Sequence, residues 1–149
     1  MKDKLEEIKK ITEDVLRSLG WEVEIETEIT EKIIFLKIDT EEPSLLIGRG
    51  GENLDSLQHI LRLIINKRLG EFIHLIVDVA NYRGKRQIFL EQDSLRKALE
   101  VKETGKEQEL EPMSSFERRI VHMALQKIDG ISSEGVGDGR ERRIVIRPE

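Results

Sequence analysis

The sequence predicts a mixed α/β (α+β) protein built as two small domains. The order is α-β-β-α-α-β over residues 1–81, followed by a smaller α/β domain over 82–149. Three observations predict this. Hydrophobic periodicity switches repeatedly between helical and two-residue spacing. A glycine cluster at 48–51 separates two helical segments. A polar, acidic stretch at 100–112 precedes a fresh helix start, Ser114-Ser115-Phe116-Glu117, with the residue types of a capping box.

Each element follows from its pattern. Leu5, Ile8, Ile11, Val15, Leu16 and Leu19 recur at helical spacing, and Gly20 supplies a stop, so 3–19 is a helix. Trp21, Val23, Ile25, Thr27 and Ile29 alternate with Glu22, Glu24, Glu26 and Glu28, which predicts a half-buried strand with a glutamate face. A turn at Thr30-Glu31-Lys32 leads to a second strand at 33–38. Pro43 opens a short helical turn ending at Ile47. Leu54, Leu57, Ile60, Leu61, Ile64 and Ile65 mark a helix closed by Gly70, and 72–80 reads as a third strand. Beyond it, 82 to about 99 is helical and 100–112 a helix end plus linker. Residues 114–128 form the next helix, and 131–136 and 142–147 form two strands around a glycine-rich loop.

Composition excludes several functions. With no cysteine there are no disulfides, no thiolate metal sites and no thiol catalysis. The start, MKDKLEEIKKI, is not a secretory signal, and no apolar run is long enough for a membrane-spanning helix, so a cytoplasmic location is expected. His59, His74 and His122 form no motif of metal or triad chemistry, so no catalytic residue, metal or cofactor is expected. The formal net charge is −5, but it is unevenly spread. Residues 1–42 hold 7 basic and 13 acidic side chains, whereas 43–98 hold 9 and 6. A polyanion would dock where the local charge allows, in the middle of the chain.

The segment Ile47-Gly48-Arg49-Gly50-Gly51 sits there. Glycines let backbone N–H groups approach a phosphate at a helix start, and Arg49 adds a cation. A P-loop would need Lys-Ser/Thr, and a dinucleotide-binding loop would need a third glycine where Asn53 stands. The third reading is the GxxG loop of a KH domain, which clamps single-stranded nucleic acid, and it competes with a plain glycine turn between helices; the surrounding order of elements, that of a type II KH fold, favours the KH loop. Leu45, Leu46, Ile47 and Leu54 would supply an apolar floor. In the second half, Arg118 and His122 are one turn apart on the narrow polar stripe of helix 114–128, beside Arg119. Such a stripe is either a solvated face or a phosphate-contacting surface that Arg142 and Arg143 could join.

Two stretches carry a family resemblance. Leu46 to Gln58, with Asp78-Val-Ala-Asn-Tyr82-Arg83, resembles the KH half of the bacterial Jag family, also called KhpB or SpoIIIJ-associated proteins. Met113 to His122, with Ser133-Glu134-Gly135 and Arg142 to Pro148, resembles the R-three-H domain, named for its Arg-x-x-x-His pair. The resemblance implies a regulatory, non-catalytic binder of single-stranded RNA, with single-stranded DNA as the close alternative. It also implies a role in cell elongation, division and envelope control, a second small KH protein as partner, and a peripheral link to a membrane insertase. Many Jag proteins carry an additional N-terminal domain, whose targeting roles are not carried over to this sequence, which begins at the KH helix. The expected contact residues are Ile47, Gly48, Arg49, Gly50, Gly51, Arg83, Arg86, Arg118, Arg119, His122, Arg142 and Arg143, with Arg83 and Arg86 bridging the two sites. The competing reading is a protein-interaction module that docks a basic partner through the glutamate strand and the acidic segment 100–112. If His122 binds as an imidazolium, binding strengthens below about pH 6.5. Sparse aromatics, Trp21, Tyr82 and four Phe, predict limited base stacking.

Overall fold

A computed structural model describes residues 1–149. The chain divides into two compact units, Met1–Arg83 and Gly84–Glu149. It is a mixture of helices and two small sheets, as the patterning predicts. No helix is long and apolar enough to cross a membrane.

The first unit contains α1 (Lys2–Ser18), β1 (Glu24–Thr30), β2 (Ile33–Asp39), α2 (Pro43–Ile47), a 3₁₀ turn (Arg49–Gly51), α3 (Glu52–Leu69) and β3 (His74–Val79). α1 buries Ile8, Ile11, Thr12 and Leu16, and the buried Thr12 hydroxyl donates to the Ile8 carbonyl at 2.8 Å. The helix closes in a Schellman turn. Gly20, at φ 92°, donates to Arg17, and the Trp21 amide donates to Leu16. That closure holds Trp21 at the helix end, so the strand begins at Glu24 rather than at Trp21. β1 and β2 are antiparallel from Glu24↔Asp39 to Thr30↔Ile33, and β2 and β3 are parallel, giving the order β1-β2-β3. Leu36, Ile38, Leu75, Val77 and Val79 from the sheet meet Ile8, Leu16, Leu54, Leu61 and Ile65 from the helices in one core.

The hairpin turn has two central residues, Glu31 and Lys32, both at positive φ (51° and 71°). Such turns favour Asn-Gly, because other side chains strain there. Glu31→Asn/Lys32→Gly is therefore expected to stabilise the protein by about 1 kcal/mol, read as a raised midpoint in chemical denaturation.

The outer edge of β3 is sealed by a polar stripe on α3. Gln58, Arg62 and Asn66 lie four residues apart, on one face of the helix. Gln58 Oε1 accepts from the Val77 amide at 2.8 Å, and Asn66 Oδ1 accepts from the Ile73 amide at 2.9 Å. Arg62 donates to the Leu75 carbonyl at 3.2 Å. Arg83 completes the seal: its Nε donates to the Val77 carbonyl at 2.9 Å, and its two terminal nitrogens donate to Asp55 and Gln58, each at 3.1 Å. A strand edge so covered offers no free ladder to another chain.

The second unit contains most of α4 (Tyr82–Thr104), then β4 (Gln108–Glu109), α5 (Ser115–Leu125), β5 (Ile131–Val136) and β6 (Arg143–Pro148), in an antiparallel sheet ordered β4-β6-β5. Its core is Leu90, Ala98, Val101, Leu110, Val121, Leu125, Ile131, Ile144 and Ile146. The segment 100–112 is not a linker. α4 continues to Thr104 because Val101 extends the buried stripe of Leu90, Ser94 and Ala98. Gln108 and Glu109 pair with Ile146 and Val145, and the Leu110 amide donates to Ile144 at 2.9 Å. Gln108 and Glu109, two polar residues between Glu107 and Leu110, carry no strand signal of their own, so pairing with β6 defines them. α5 stops at Leu125, three residues short of the sequence expectation, and Gln126 to Ile128 form a turn. Ser114 caps it by accepting from the Glu117 amide at 3.2 Å, but the Glu117 carboxylate pairs with Arg86 rather than closing the capping box.

Candidate nucleic-acid interface

In the first unit the three glycines of the 48–51 loop play different parts. Gly48 has φ 74° and ψ 179°, a region open almost only to glycine. A Cβ there would lie 2.5 Å from the Asn53 side chain, which itself donates to the Leu45 carbonyl at 2.9 Å and ties the loop back onto α2. Gly51 is buried, at φ 83°, and a Cβ would meet the Tyr82 ring at 2.9 Å. Gly50 is also left-handed, at φ 60°, but it is exposed and a Cβ there would meet nothing within 4 Å. The outer glycines thus let the loop fold against Asn53 and Tyr82, and Gly50 keeps its surface open.

The Arg49 side chain stands exposed on this loop with no ion pair or hydrogen bond. The expected apolar floor is smaller than the sequence suggests. Leu46 and Leu54 belong to the core, Ile47 is half-buried against it, and Leu45 alone is largely exposed, at 63%. α3 begins with two acids, Glu52 and Asp55; Arg83 neutralises Asp55, so Glu52 is the one unbalanced anion in that first turn. Elsewhere on this unit the charge is acidic. Glu24, Glu26 and Glu28 are exposed on one face of β1, opposite Asp39, Lys37 and Phe35 of β2, and Lys37 pairs with Glu28 at 2.7 Å. That face repels a polyanion.

In the second unit the structure brings Arg118, His122 and Arg142 together. His122 Nδ1 lies 2.8 Å from Ser133 Oγ. Arg118 donates to the Met113 carbonyl, at 2.6 Å, and Arg142 to the Gly137 carbonyl, at 2.9 Å. Partial burial, then the charges of Arg118 and Arg142, push the His122 pKa below its usual 6.5. Arg119 is exposed beside them, three residues before His122, and has no partner within the fold. The result is a cationic patch around an imidazole that is neutral at pH 7.

Three arginines expected at the interface are held inside their own units instead. Arg83 seals β3, as described. Arg86 Nε donates to Glu117 at 2.9 Å, and its guanidinium lies 5.5 Å from the Phe89 ring centre. Arg143 grips both oxygens of Glu109, tying β6 to β4. Their partners satisfy them with charge-assisted bonds, so they act as structural clasps rather than open cations. Arg83→Ala is accordingly expected to lower stability by about 2 kcal/mol while leaving nucleic-acid affinity within twofold, checked by denaturation and anisotropy titrations. Asn53, Tyr82 and Ser133 emerge as site-shaping residues outside the expected contact set. All three lie in the stretches that carry the family resemblance, and Asn53 also stands out in the sequence as the residue in place of a third glycine. No three His, Asp or Glu side chains converge to hold a metal ion.

Residues 6–78 match the family described as the KhpA/KhpB KH domain, and residues 88–148 match the R-three-H domain. Among curated proteins, the RNA-binding protein KhpB of Clostridium symbiosum is 35% identical over 136 residues, covering 90% of this chain and 61% of that protein. The RNA-binding protein KhpB of Bacillus subtilis (strain 168) is 30% identical over 146 residues, covering 97% of this chain and 70% of the relative. That of Streptococcus pneumoniae serotype 2 is 27% identical, and the chain spans 44% of its length.

Proposed function

The chain belongs to the KhpB family, also known as Jag, and on that premise we propose that it binds single-stranded RNA through two sites, one in each unit. The observation that carries this reading is the open middle of the glycine loop. Gly50 is unobstructed and Arg49 is unpaired, although the same loop is pinned on both sides by Asn53 and Tyr82. About four nucleotides lie along the loop, with backbone N–H groups and Arg49 on phosphate and Leu45 and the edge of Ile47 against bases. The second site is the Arg118, Arg119, His122 and Arg142 patch. Carrying both sites on one chain raises overall affinity through effective concentration.

The protein works by binding, without a catalytic step, and the naming of its relatives as RNA-binding proteins supports this. By the family likeness it acts in the cytoplasm in the control of cell elongation, division and the envelope, with a second KH protein and a membrane insertase as partners.

The test is fluorescence anisotropy with a short single-stranded RNA, the matching DNA strand and the RNA duplex, across a salt series. Single strands should bind more tightly than the duplex, and affinity should fall with salt with a log–log slope of about −2 to −3, as for three or four neutralised phosphates. Equal binding to the duplex, or a flat salt response, would overturn the proposal. Acidification gives a further expected result. A bound phosphate favours the imidazolium, so the complex holds more protons than the free protein and affinity rises as pH falls. Because His122 in the free protein titrates below 6.5, the rise should continue below that pH. His122→Gln should flatten it.

A further inference from the structure

We infer that Ser133 is the positioning residue of the second site, holding His122 at Nδ1 so that Nε2 carries the proton offered to a phosphate oxygen. The inference rests on the RNA-binding reading above.

The placement comes from β5. Ser133 pairs across the sheet with the buried Ile146, and Gly135 with the buried Ile144, so both stand on the core-facing side of the strand, towards α5. Ser133 meets the imidazole there. Two residues on, Gly135 leaves room for Arg142: a Cβ would come within 3.0 Å of the guanidinium. One strand face thus orients a histidine from α5 and an arginine from the segment entering β6.

A neutral imidazole has one N–H and one bare nitrogen, and the tautomer decides which of them faces outward. The charged groups acting on His122 are Arg118 on its own helix and Arg142 from the segment entering β6; β5 contributes only the uncharged Ser133. Both charges disfavour the imidazolium, so the neutral tautomer matters at neutral pH. A phosphate accepts hydrogen bonds and donates none, so a bare Nε2 would repel it. With the Ser133 hydroxyl donating into Nδ1, Nε2 keeps its hydrogen and points a donor at the ligand. Without that hydroxyl, Nδ1 has no partner in a half-buried position and either tautomer is accessible.

The experiment compares the intact chain with Ser133→Ala and Ser133→Thr, each checked for an unchanged thermal unfolding midpoint. Long-range ¹H–¹⁵N spectra of the imidazoles at pH 7.5 report the His122 tautomer with no ligand present. Anisotropy with the single-stranded RNA reports affinity. The expected wild-type state is Nε2–H. Ser133→Ala should give a tautomer mixture and bind about fivefold more weakly, and Ser133→Thr should restore both readouts. An Nδ1–H tautomer in the wild type, or a Ser133→Ala variant with the wild-type tautomer and affinity, would overturn the inference. If the wild type binds no RNA, the RNA reading fails, and the ligand-free spectra still decide the role of Ser133.

Discussion

Gly50→Asp is expected to weaken single-stranded RNA binding by tenfold to a hundredfold, roughly the loss of one or two charge-assisted phosphate contacts, with the fold intact. The two effects separate because of where Gly50 stands. A Cβ at Gly50 meets no atom within 4 Å, and its left-handed backbone is one that Asp and Asn adopt at a cost of about 1 kcal/mol. The new carboxylate lies where the phosphate is to approach and opposes the charge of Arg49. Gly50→Asn shares the backbone cost and the added bulk without the charge. It should fall between wild type and Gly50→Asp, which isolates the electrostatic part.

Gly51→Ala should do the reverse, destabilising the first unit by about 3 kcal/mol through overpacking and backbone strain together. The Tyr82 ring occupies the space that the methyl group would take, and φ 83° adds strain at the first residue before α3. A double-mutant cycle with Tyr82→Ala separates the two causes. The steric share should disappear when the ring is absent, so the pair should cost less than the sum of the singles. Full additivity would place the whole cost in the backbone. A Gly50→Asp/Gly51→Asp double variant would therefore confuse lost folding with lost binding, and Gly50 alone is the informative position.

The division between what was and was not legible in the sequence follows the range of the interactions. α1, α3 and α5 are readable because each buries residues three or four apart, and β2 because Ile34, Leu36 and Ile38 alternate inward. The glycine loop is readable because only glycine suits its backbone. β4 is not, since the two polar residues Gln108 and Glu109 become a strand only by pairing with β6. The arginines mislead for the same reason. Arg86 meets Glu117 31 positions away, and Arg143 meets Glu109 34 positions away. A positive side chain looks open in sequence until the fold delivers its acid. Ser133 is the converse: an ordinary strand serine whose importance comes from the imidazole that α5 lays against it.

On the proposed reading, RNA contacts one patch in each unit and avoids the acidic sheet face. The most direct measurement is a ¹H–¹⁵N chemical-shift titration of the intact chain with a short single-stranded RNA. Shifts are expected to concentrate at Gly48–Gly51 and at Arg118, Arg119, His122 and Arg142, with the amides of Glu24, Glu26 and Glu28 unmoved. Shifts centred on that glutamate strand, with the glycine loop silent, would contradict that reading.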